Sequence, residues 1–200
     1  ARIVRNLLDI YHARDDTAGP TDVNFVIERV LELFAHKWQK HGIEVETNFE
    51  PSLPALNLSS DRLRQVLINL FRNAEDAVGE NGRVAVTTRL QRKPGDSEPD
   101  WLAIEVEDSG CGISKKDLAR VFDPFFTTKK GGGGTGLGLS VTYGIVRSFG
   151  GTIDIDSRTE RGTRVSVSIP IATTDGAAEG GTSPPTAEAQ DAAGTSPAAG

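Results

Sequence analysis

Asp108-Ser-Gly-Cys-Gly-Ile113 and Gly131-Gly-Gly-Gly-Thr-Gly-Leu-Gly-Leu-Ser140 are the two segments around which this 200-residue sequence is organised. The first sets a carboxylate in a glycine turn after a predicted strand, and the second is a glycine loop that runs into an apolar helix. Glycine permits positive φ and close backbone approach, and a helix behind such a loop presents free N–H groups to an anion. Together they predict a polar anchor for a base and a cradle for phosphates. Either segment alone is also compatible with a flexible linker or an ordinary turn.

A third element, a helix predicted to begin at a cap on Ser59 or Ser60, makes the pair more specific. Within it, Asn69, Asn73 and Asp76 fall at i, i+4 and i+7 and form a polar stripe beside the apolar one. Asn is a mediocre helix former, so two of them one turn apart require a reason. Their oxygens are ligands of the kind that Mg²⁺ prefers, which predicts a Mg-nucleotide site. A solvated helix face is the alternative interpretation.

The remaining pattern predicts helices and strands that alternate along the chain and end in hairpins. This favours an α+β fold in which helices cover one face of a mixed sheet. Asn24 is the expected N-cap of a helix that ends at Gly42. The other predicted elements are the end of a helix over 1–16, strands at 43–49, 83–90 and 101–107, helices at 115–121 and 137–149, and a hairpin of 152–156 with 163–171.

Composition narrows the class of protein. The net charge of −6 argues against a nucleic-acid surface, and the single Cys111 excludes an internal disulfide framework. No apolar run is long enough to span a membrane. The sequence lacks Met and starts at Ala1, so we expect a piece of a longer protein. From about residue 173 large apolar side chains are absent, which predicts a disordered tail at 173–200.

The motifs resemble those of the catalytic ATP-binding domain of bacterial sensor histidine kinases, in the superfamily shared with gyrase and a heat-shock chaperone. The resemblance runs from about Thr21 to Ile171 and keeps the family's order. The matching segments are Arg62-Leu-Arg-Gln-Val-Leu-Ile-Asn-Leu-Phe-Arg-Asn-Ala74 (N box), Asp108-Ser-Gly-Cys-Gly112 (G1 box), Val121-Phe-Asp-Pro-Phe-Phe-Thr-Thr-Lys129 (F box), Gly134-Thr-Gly-Leu-Gly-Leu-Ser140 (G2 box) and Gly162-Thr163.

The resemblance implies a two-layer α/β sandwich of the Bergerat type. It implies three regions: the end of a dimerisation helix and a linker at 1–18, the ATP-binding domain at 19–172, and the tail at 173–200. A mobile lid is expected over roughly Thr127 to Thr135. A cytoplasmic location is expected, which leaves room for an inner-membrane anchor in the full-length protein.

The resemblance also implies roles for individual residues. Asp108 would bond the adenine amino group, with Thr163 supporting it through water, while Gly110 and Gly112 would let the adenine pack against backbone. Asn73 would coordinate Mg²⁺, with Asn69 near the metal and the phosphates. Phosphate would be bound by main-chain N–H groups and by a lid lysine, and the residues implied are Gly134, Gly136, Leu137, Gly138 and Lys129.

Asn69 bears on the type of reaction. In the ATPase branches of the superfamily, a Glu one turn before the metal-binding Asn activates water. An amide cannot act as a general base. The site is therefore expected to bind ATP without efficient hydrolysis and to keep the γ-phosphate for a histidine.

The acceptor histidine is expected on another domain. His12, His36 and His41 are not followed by the acidic residue that the family's phosphoacceptor motif requires. The expected partners are therefore ATP, the protein's own dimerisation domain in a homodimer, and a response regulator. The alternatives are a superfamily ATPase and a silent nucleotide-binding regulatory module. A dinucleotide-binding fold is poorly supported, because the glycine loop does not open a βαβ unit.

Overall fold

The computed structural model describes residues 17–91, 101–129 and 134–171. The predicted helix over 1–16, the predicted tail at 173–200 and residues 130–133 of the expected lid lie outside the described residues. In chain order the elements are β1 (Gly19–Thr21), α1 (Val23–Lys40), β2 (Glu44–Asn48), β3 (Leu56–Leu58), α2 (Ser60–Val78), β4 (Arg83–Gln91), β5 (Trp101–Asp108), α3 (Lys115–Leu118), α4 (Gly138–Ser148), β6 (Thr152–Ser157) and β7 (Thr163–Pro170).

The main sheet has five strands in the order β2-β4-β5-β7-β6. β2 and β4 are parallel, with α2 in the connection between them, and every other neighbouring pair is antiparallel. The sheet is therefore mixed, and the predicted α+β fold is confirmed. The short strands β1 and β3, which were not predicted, form a separate antiparallel pair.

One face of the sheet is covered by α1, α2 and α4, and the core lies between the two layers. Alternate residues of the strands point into it, among them Val84 and Val86 of β4 and Val167 of β7. The opposite face carries cross-strand ion pairs, such as Glu107 with Arg164 at 2.7 Å. The two-layer arrangement thus follows from a period-two pattern that is apolar on one face and charged on the other.

The C-terminal half of α2 is held against α1 by aromatic packing and a buried acid. Phe71 packs against Phe34 and Trp38, with ring centroids 5.7 Å apart in both cases. Glu75 is 7% exposed, accepts a hydrogen bond from Trp38 Nε1 at 3.3 Å, and pairs with the ammonium of Lys37. These contacts fix the turn of α2 that carries the polar stripe.

One of the two predicted helix N-caps differs from the structure. The predicted N-cap Asn24 is wrong, because Asp22 caps α1 by accepting from the Phe25 N–H at 3.0 Å. Asn24 instead donates to the Glu50 carbonyl at 2.8 Å and accepts from the Thr88 hydroxyl at 2.9 Å. The α2 cap is Ser59, as predicted. No helix in the described ranges is long and apolar enough to cross a bilayer.

Candidate functional site

A cavity of about 530 Å³ opens between α2, the end of β5 and the segments 121–129 and 134–139. It brings together nine of the predicted site residues: Asn69, Asn73, Asp108, Gly112, Lys129, Gly134, Gly136, Gly138 and Thr163. Gly110 and Leu137 do not line it. Apolar residues form much of the wall, and they include Leu70, Val106, Ile113, Val121, Ile155 and Val165. A second hollow of about 350 Å³, near β3, contains none of the predicted residues.

Asp108 ends β5 at one end of this cavity and is 8% exposed. Its Oδ1 accepts a hydrogen bond from the Gly110 N–H at 2.8 Å. Burial raises the pKa of Asp108, and the N–H groups of Gly110 and Thr163 oppose that rise by stabilising the carboxylate. The result is a nearly buried carboxylate that is held in a fixed orientation and can accept hydrogen bonds from a ligand.

The two glycines after Asp108 allow the turn to pack against neighbouring backbone. A Cβ on Gly110 would lie 2.4 Å from the Ala77 carbonyl carbon, and one on Gly112 would lie 2.0 Å from the Arg158 oxygen. Gly112 also has a φ of +68°. Their structural role is thus close contact with α2 and with the β6–β7 turn. A further contact with adenine stays a prediction, and only Gly112 of the two lines the cavity.

Gly112→Ala is expected to destabilise the fold much more than Gly150→Ala. Both glycines have positive φ, +68° and +74°, so both substitutions incur backbone strain of about 1–2 kcal/mol. A Cβ at Gly150 meets only the Pro170 side chain at 3.4 Å, whereas a Cβ at Gly112 collides with backbone. We expect at least about 2 kcal/mol of additional loss in the free energy of unfolding for Gly112→Ala, measured by urea denaturation. Equal losses would contradict the close packing of this turn.

The asparagines of α2 occupy different environments. The Asn69 amide nitrogen donates to the Gly138 carbonyl at 3.2 Å and to the Thr142 hydroxyl at 3.3 Å, so it ties α2 to the start of α4. Because a carbonyl can only accept, the nitrogen of the amide must face Gly138. Asn73 also lines the cavity, and its side chain makes no hydrogen bond to any described residue. Its amide oxygen is available to a ligand.

An ion pair crosses the mouth of the cavity. The ammonium of Lys129, which was predicted to contact phosphate, pairs here with the carboxylate of Asp76 on α2. Both side chains are partly exposed, at 35% and 49%, so the pair contributes little to stability. Lys129 is therefore within reach of the cavity, and a phosphate would have to compete with Asp76 for it.

The glycine loop is anchored by the backbone of the preceding Phe122–Phe126 segment. The Phe125 N–H donates to the Gly136 carbonyl at 2.9 Å, and a Cβ on Gly136 would lie 2.4 Å from the Phe125 carbonyl carbon. Phe125 itself is 67% exposed and has a φ of +66°. Phe126, in contrast, lines the cavity. Backbone contact therefore contributes to the anchoring where burial is missing.

Residues 59–173, more than half of the chain, match the sequence family described as histidine kinase-, DNA gyrase B-, and HSP90-like ATPase. This chain belongs to that family. The two-component sensor PprA of Pseudomonas aeruginosa is 39% identical over 156 residues, which are 78% of this chain and 17% of PprA. The chain spans between 17% and 35% of the length of the first curated relatives that it matches.

Two solved structures share the fold. ShkA full-length in complex with AMPPNP aligns with a TM-score of 0.68 and 26% identity over 81% of this chain and 33% of ShkA. The histidine kinase ThkA in complex with the response regulator protein TrrA aligns with a TM-score of 0.66 and 29% identity, covering 86% of this chain and 47% of ThkA. The two-layer architecture is thus common to this chain and to kinases of the family.

The polar groups of this ATPase-family cavity fit a hard metal ion that is bound together with phosphates. No group of three or more His, Cys, Asp and Glu side chains within the described ranges is placed to hold a metal by itself. Asn73 and Asp76 offer oxygens at the same wall, and Mg²⁺ commonly takes one or two protein oxygens and completes its shell with substrate phosphates and water.

Ser157, which sequence reasoning missed, connects two residues that line this cavity. Ser157 is 8% exposed and ends β6. Its hydroxyl accepts from the Ile113 N–H at 2.8 Å and lies 2.9 Å from the Thr163 hydroxyl, so it joins the turn after Asp108 to the β6–β7 hairpin. No local pattern could have identified it, because Ile113 is 44 residues away in the sequence.

Proposed function

We propose that this chain is the catalytic ATP-binding part of a sensor histidine kinase. It binds Mg-ATP and transfers the γ-phosphate to a histidine on a dimerisation domain, for relay to an aspartate of a response regulator. The observation that carries the proposal is a single cavity with a buried carboxylate at one end and an amide stripe facing a glycine loop at the other. A purine nucleotide has the matching polarity, with a base at one end and phosphates at the other.

At the base end, Asp108 accepts a hydrogen bond from the adenine amino group, and Thr163 supports this contact through water. The apolar wall around them suits a flat aromatic base. At the phosphate end, Asn73 coordinates Mg²⁺, while main-chain N–H groups around Gly136 and Gly138 bind phosphate oxygens. Lys129 exchanges Asp76 for a phosphate when nucleotide is bound. Mg²⁺ supplies neutralisation of the phosphate charge.

The surroundings of Asn69 support transfer to a histidine over hydrolysis. The amide nitrogen already donates to the Gly138 carbonyl and to Thr142, so the group is engaged in holding α4. An amide has no proton affinity at neutral pH that would let it activate water. A carboxylate at this position would face the Gly138 carbonyl, and two hydrogen-bond acceptors would repel each other there. Catalysis then comes from positioning the nucleotide and from charge neutralisation.

The proposed partners follow from the relatives. PprA is named a two-component sensor, and ThkA is seen with a response regulator. We infer the same type of partner for this chain, together with a dimerisation domain in a homodimer, and a cytoplasmic location where ATP is available. His36 and His41 do not line the cavity, which supports an acceptor on another domain. His12 lies outside the described residues.

Incubation with γ-labelled ATP tests this function. We expect the isolated chain to bind Mg-ATP, to carry no label and to release phosphate very slowly. When a separate dimerisation domain with the acceptor His is added, that His should become labelled in trans. Labelling should be inefficient, because the missing covalent link lowers the effective concentration of acceptor at the γ-phosphate.

Two outcomes would contradict the proposal. Acid-labile label on His12, His36 or His41 of the isolated chain would place the acceptor within it. Rapid phosphate release would instead favour an ATPase. The control for labelling at any other residue is the acceptor domain with its His replaced by Gln.

A further inference from the structure

We propose that Ser157 is a positioning residue that sets the nucleobase specificity of the site by fixing the hydroxyl proton of Thr163. The inference rests on the proposed function, in which Asp108 and Thr163 face the base. It concerns a different property of that site, namely how 6-amino purines are distinguished from 6-oxo purines.

The hydrogen bonds around Ser157 leave one arrangement of protons. A hydroxyl has one proton to donate and two lone pairs that accept. The Ile113 N–H, 2.8 Å away, can only donate, so it occupies one lone pair of Ser157. The Gly162 carbonyl, 2.9 Å away, can only accept, and its other donor, the Arg158 N–H, is farther away at 3.4 Å, so the short hydrogen bond to this carbonyl takes the Ser157 proton. The remaining lone pair of Ser157 faces the Thr163 hydroxyl at 2.9 Å, which must therefore donate to it.

This arrangement makes the Thr163 hydroxyl an acceptor toward the cavity. Its only proton is directed at Ser157, and no other described residue hydrogen-bonds to it. Ser157 and Thr163 are 8% and 7% exposed, so an alternative rotamer with an unmatched proton would leave buried polar groups unpaired. A water molecule between Thr163 and the base would have one of its two protons taken by Thr163, so it has one proton fewer to donate to an acceptor of the base.

Asp108 adds a second acceptor beside the Thr163 hydroxyl, because Asp108 and Thr163 are cross-strand partners on β5 and β7 and the Gly110 N–H orients the carboxylate at 2.8 Å. A 6-amino purine donates from its exocyclic amine and satisfies this pair. A 6-oxo purine brings a third acceptor to the same place. The preference for 6-amino purines therefore comes from two acceptors, the Asp108 carboxylate and the Thr163 hydroxyl. The Thr163 hydroxyl acts as an acceptor because its proton is donated to Ser157.

The test compares the dissociation constants of ATP and ITP, which differ in the 6-position of the base, by calorimetry with Mg²⁺. In Ser157→Ala, the Thr163 hydroxyl is free to rotate and donate to the carbonyl of ITP. We expect the dissociation constant of ITP divided by that of ATP to fall about fivefold below its wild-type value. This factor is the scale of one neutral hydrogen bond. Ser166→Ala is the matched control, because Ser166 lies in the same hairpin but bonds Glu105. Its ratio should equal that of the wild type.

A double-mutant cycle shows whether Ser157 acts through Thr163. In the Thr163→Val background, Ser157→Ala should leave the ratio unchanged. A ratio that stays at the wild-type value in Ser157→Ala, with both nucleotides weakened equally, would overturn the inference and leave Ser157 a structural residue. An equal narrowing in Ser166→Ala would overturn it as well.

The outcome separates this inference from the proposed function. If the wild-type chain fails to bind ATP, the proposed function fails; if it binds ATP and the ratio does not respond to Ser157, only the inference fails. Ser157→Cys covers the case in which Ser157→Ala does not fold, because the thiol keeps a donor but accepts poorly. Its ratio should narrow in the same direction by a smaller factor, and an unchanged ratio in folded Ser157→Cys would count against the inference.

Discussion

Asp108→Asn is expected to weaken ATP binding to this chain by about ten- to a hundredfold, measured by calorimetry. Two N–H groups act on the Asp108 carboxylate: that of Gly110 donates to Oδ1 at 2.8 Å, and that of Thr163 stabilises the charged form. The single amide oxygen of Asn would have to receive them, which turns the NH₂ group toward the cavity. That group would face the amino group of adenine, so two donors would meet. Losing a charge-assisted hydrogen bond costs about 1.5–3 kcal/mol, which corresponds to the expected factor.

Asp154→Asn is the matched control, since Asp154 is exposed on β6 and does not line the cavity. It should bind ATP with the wild-type affinity. An unchanged affinity in Asp108→Asn would remove Asp108 as the adenine anchor.

The pH dependence of the affinity gives an independent check of the same residue. Burial raises the pKa of Asp108, so protonation sets in at a higher pH than for an exposed Asp. The carboxylate is the form that accepts from adenine, so affinity is complete above this pKa and falls as the pH drops through it. Asp108→Asn lacks this titration, and the wild-type advantage over it should shrink toward low pH. Protonation of ATP itself affects both proteins and cancels in the ratio.

Asn73→Ala is expected to abolish phosphotransfer to the acceptor domain, with the fold intact. The Asn73 side chain makes no hydrogen bond within the described ranges, and Ala is the better helix former, so α2 loses nothing. The variant should also lose the increase in ATP affinity that Mg²⁺ gives the wild type. Calorimetry with Mg²⁺ and with EDTA measures that increase without relying on activity.

Gln65→Ala provides the control for Asn73→Ala, because Gln65 is partly buried on the same helix and does not line the cavity. It should keep both phosphotransfer and the effect of Mg²⁺. A folded Asn73→Ala that still transfers phosphate at the wild-type rate, or still responds to Mg²⁺, would show that Asn73 is not the ligand.

The two variants separate the ends of the site. Asp108 lies where we propose that the base is bound, so its replacement should affect the affinity for ATP. Asn73 lies one turn along α2 from Asn69, which bonds the Gly138 carbonyl at the start of α4, so Asn73 is beside the proposed phosphates. Replacing Asn73 should therefore affect the transfer of the γ-phosphate. If both variants changed only the affinity for ATP, the nucleotide would have to be placed differently in the cavity.

Local patterns were sufficient for most elements, and together with the family resemblance they predicted nine of the residues that line the cavity. The i, i+4, i+7 spacing places Asn69, Asn73 and Asp76 on one face of any helix, whatever surrounds it. Glycines mark turns because few other residues accept positive φ, and Gly112 and Gly136 both have it. Helix N-caps were less predictable: Asp22 and Asn24 are both good capping residues, and contacts with Glu50 and Thr88 decided between them.

By itself, the sequence determined the fold class, the alternating strands and the residue types of the site, because these depend on periodicity within a few turns of chain. Only the tertiary structure decided how those residues are polarised. Burial in the folded chain raises the pKa of Asp108. Contacts between distant segments pair Lys129 with Asp76, Asn69 with Gly138, and Ser157 with Ile113. For Asp108 and Ser157 the physical reason is burial: once the helices and the β5–β7 pairing exclude water, each buried polar group must take the partner that the fold brings to it. Lys129 and Asp76 are partly exposed, and they pair because the fold places them side by side.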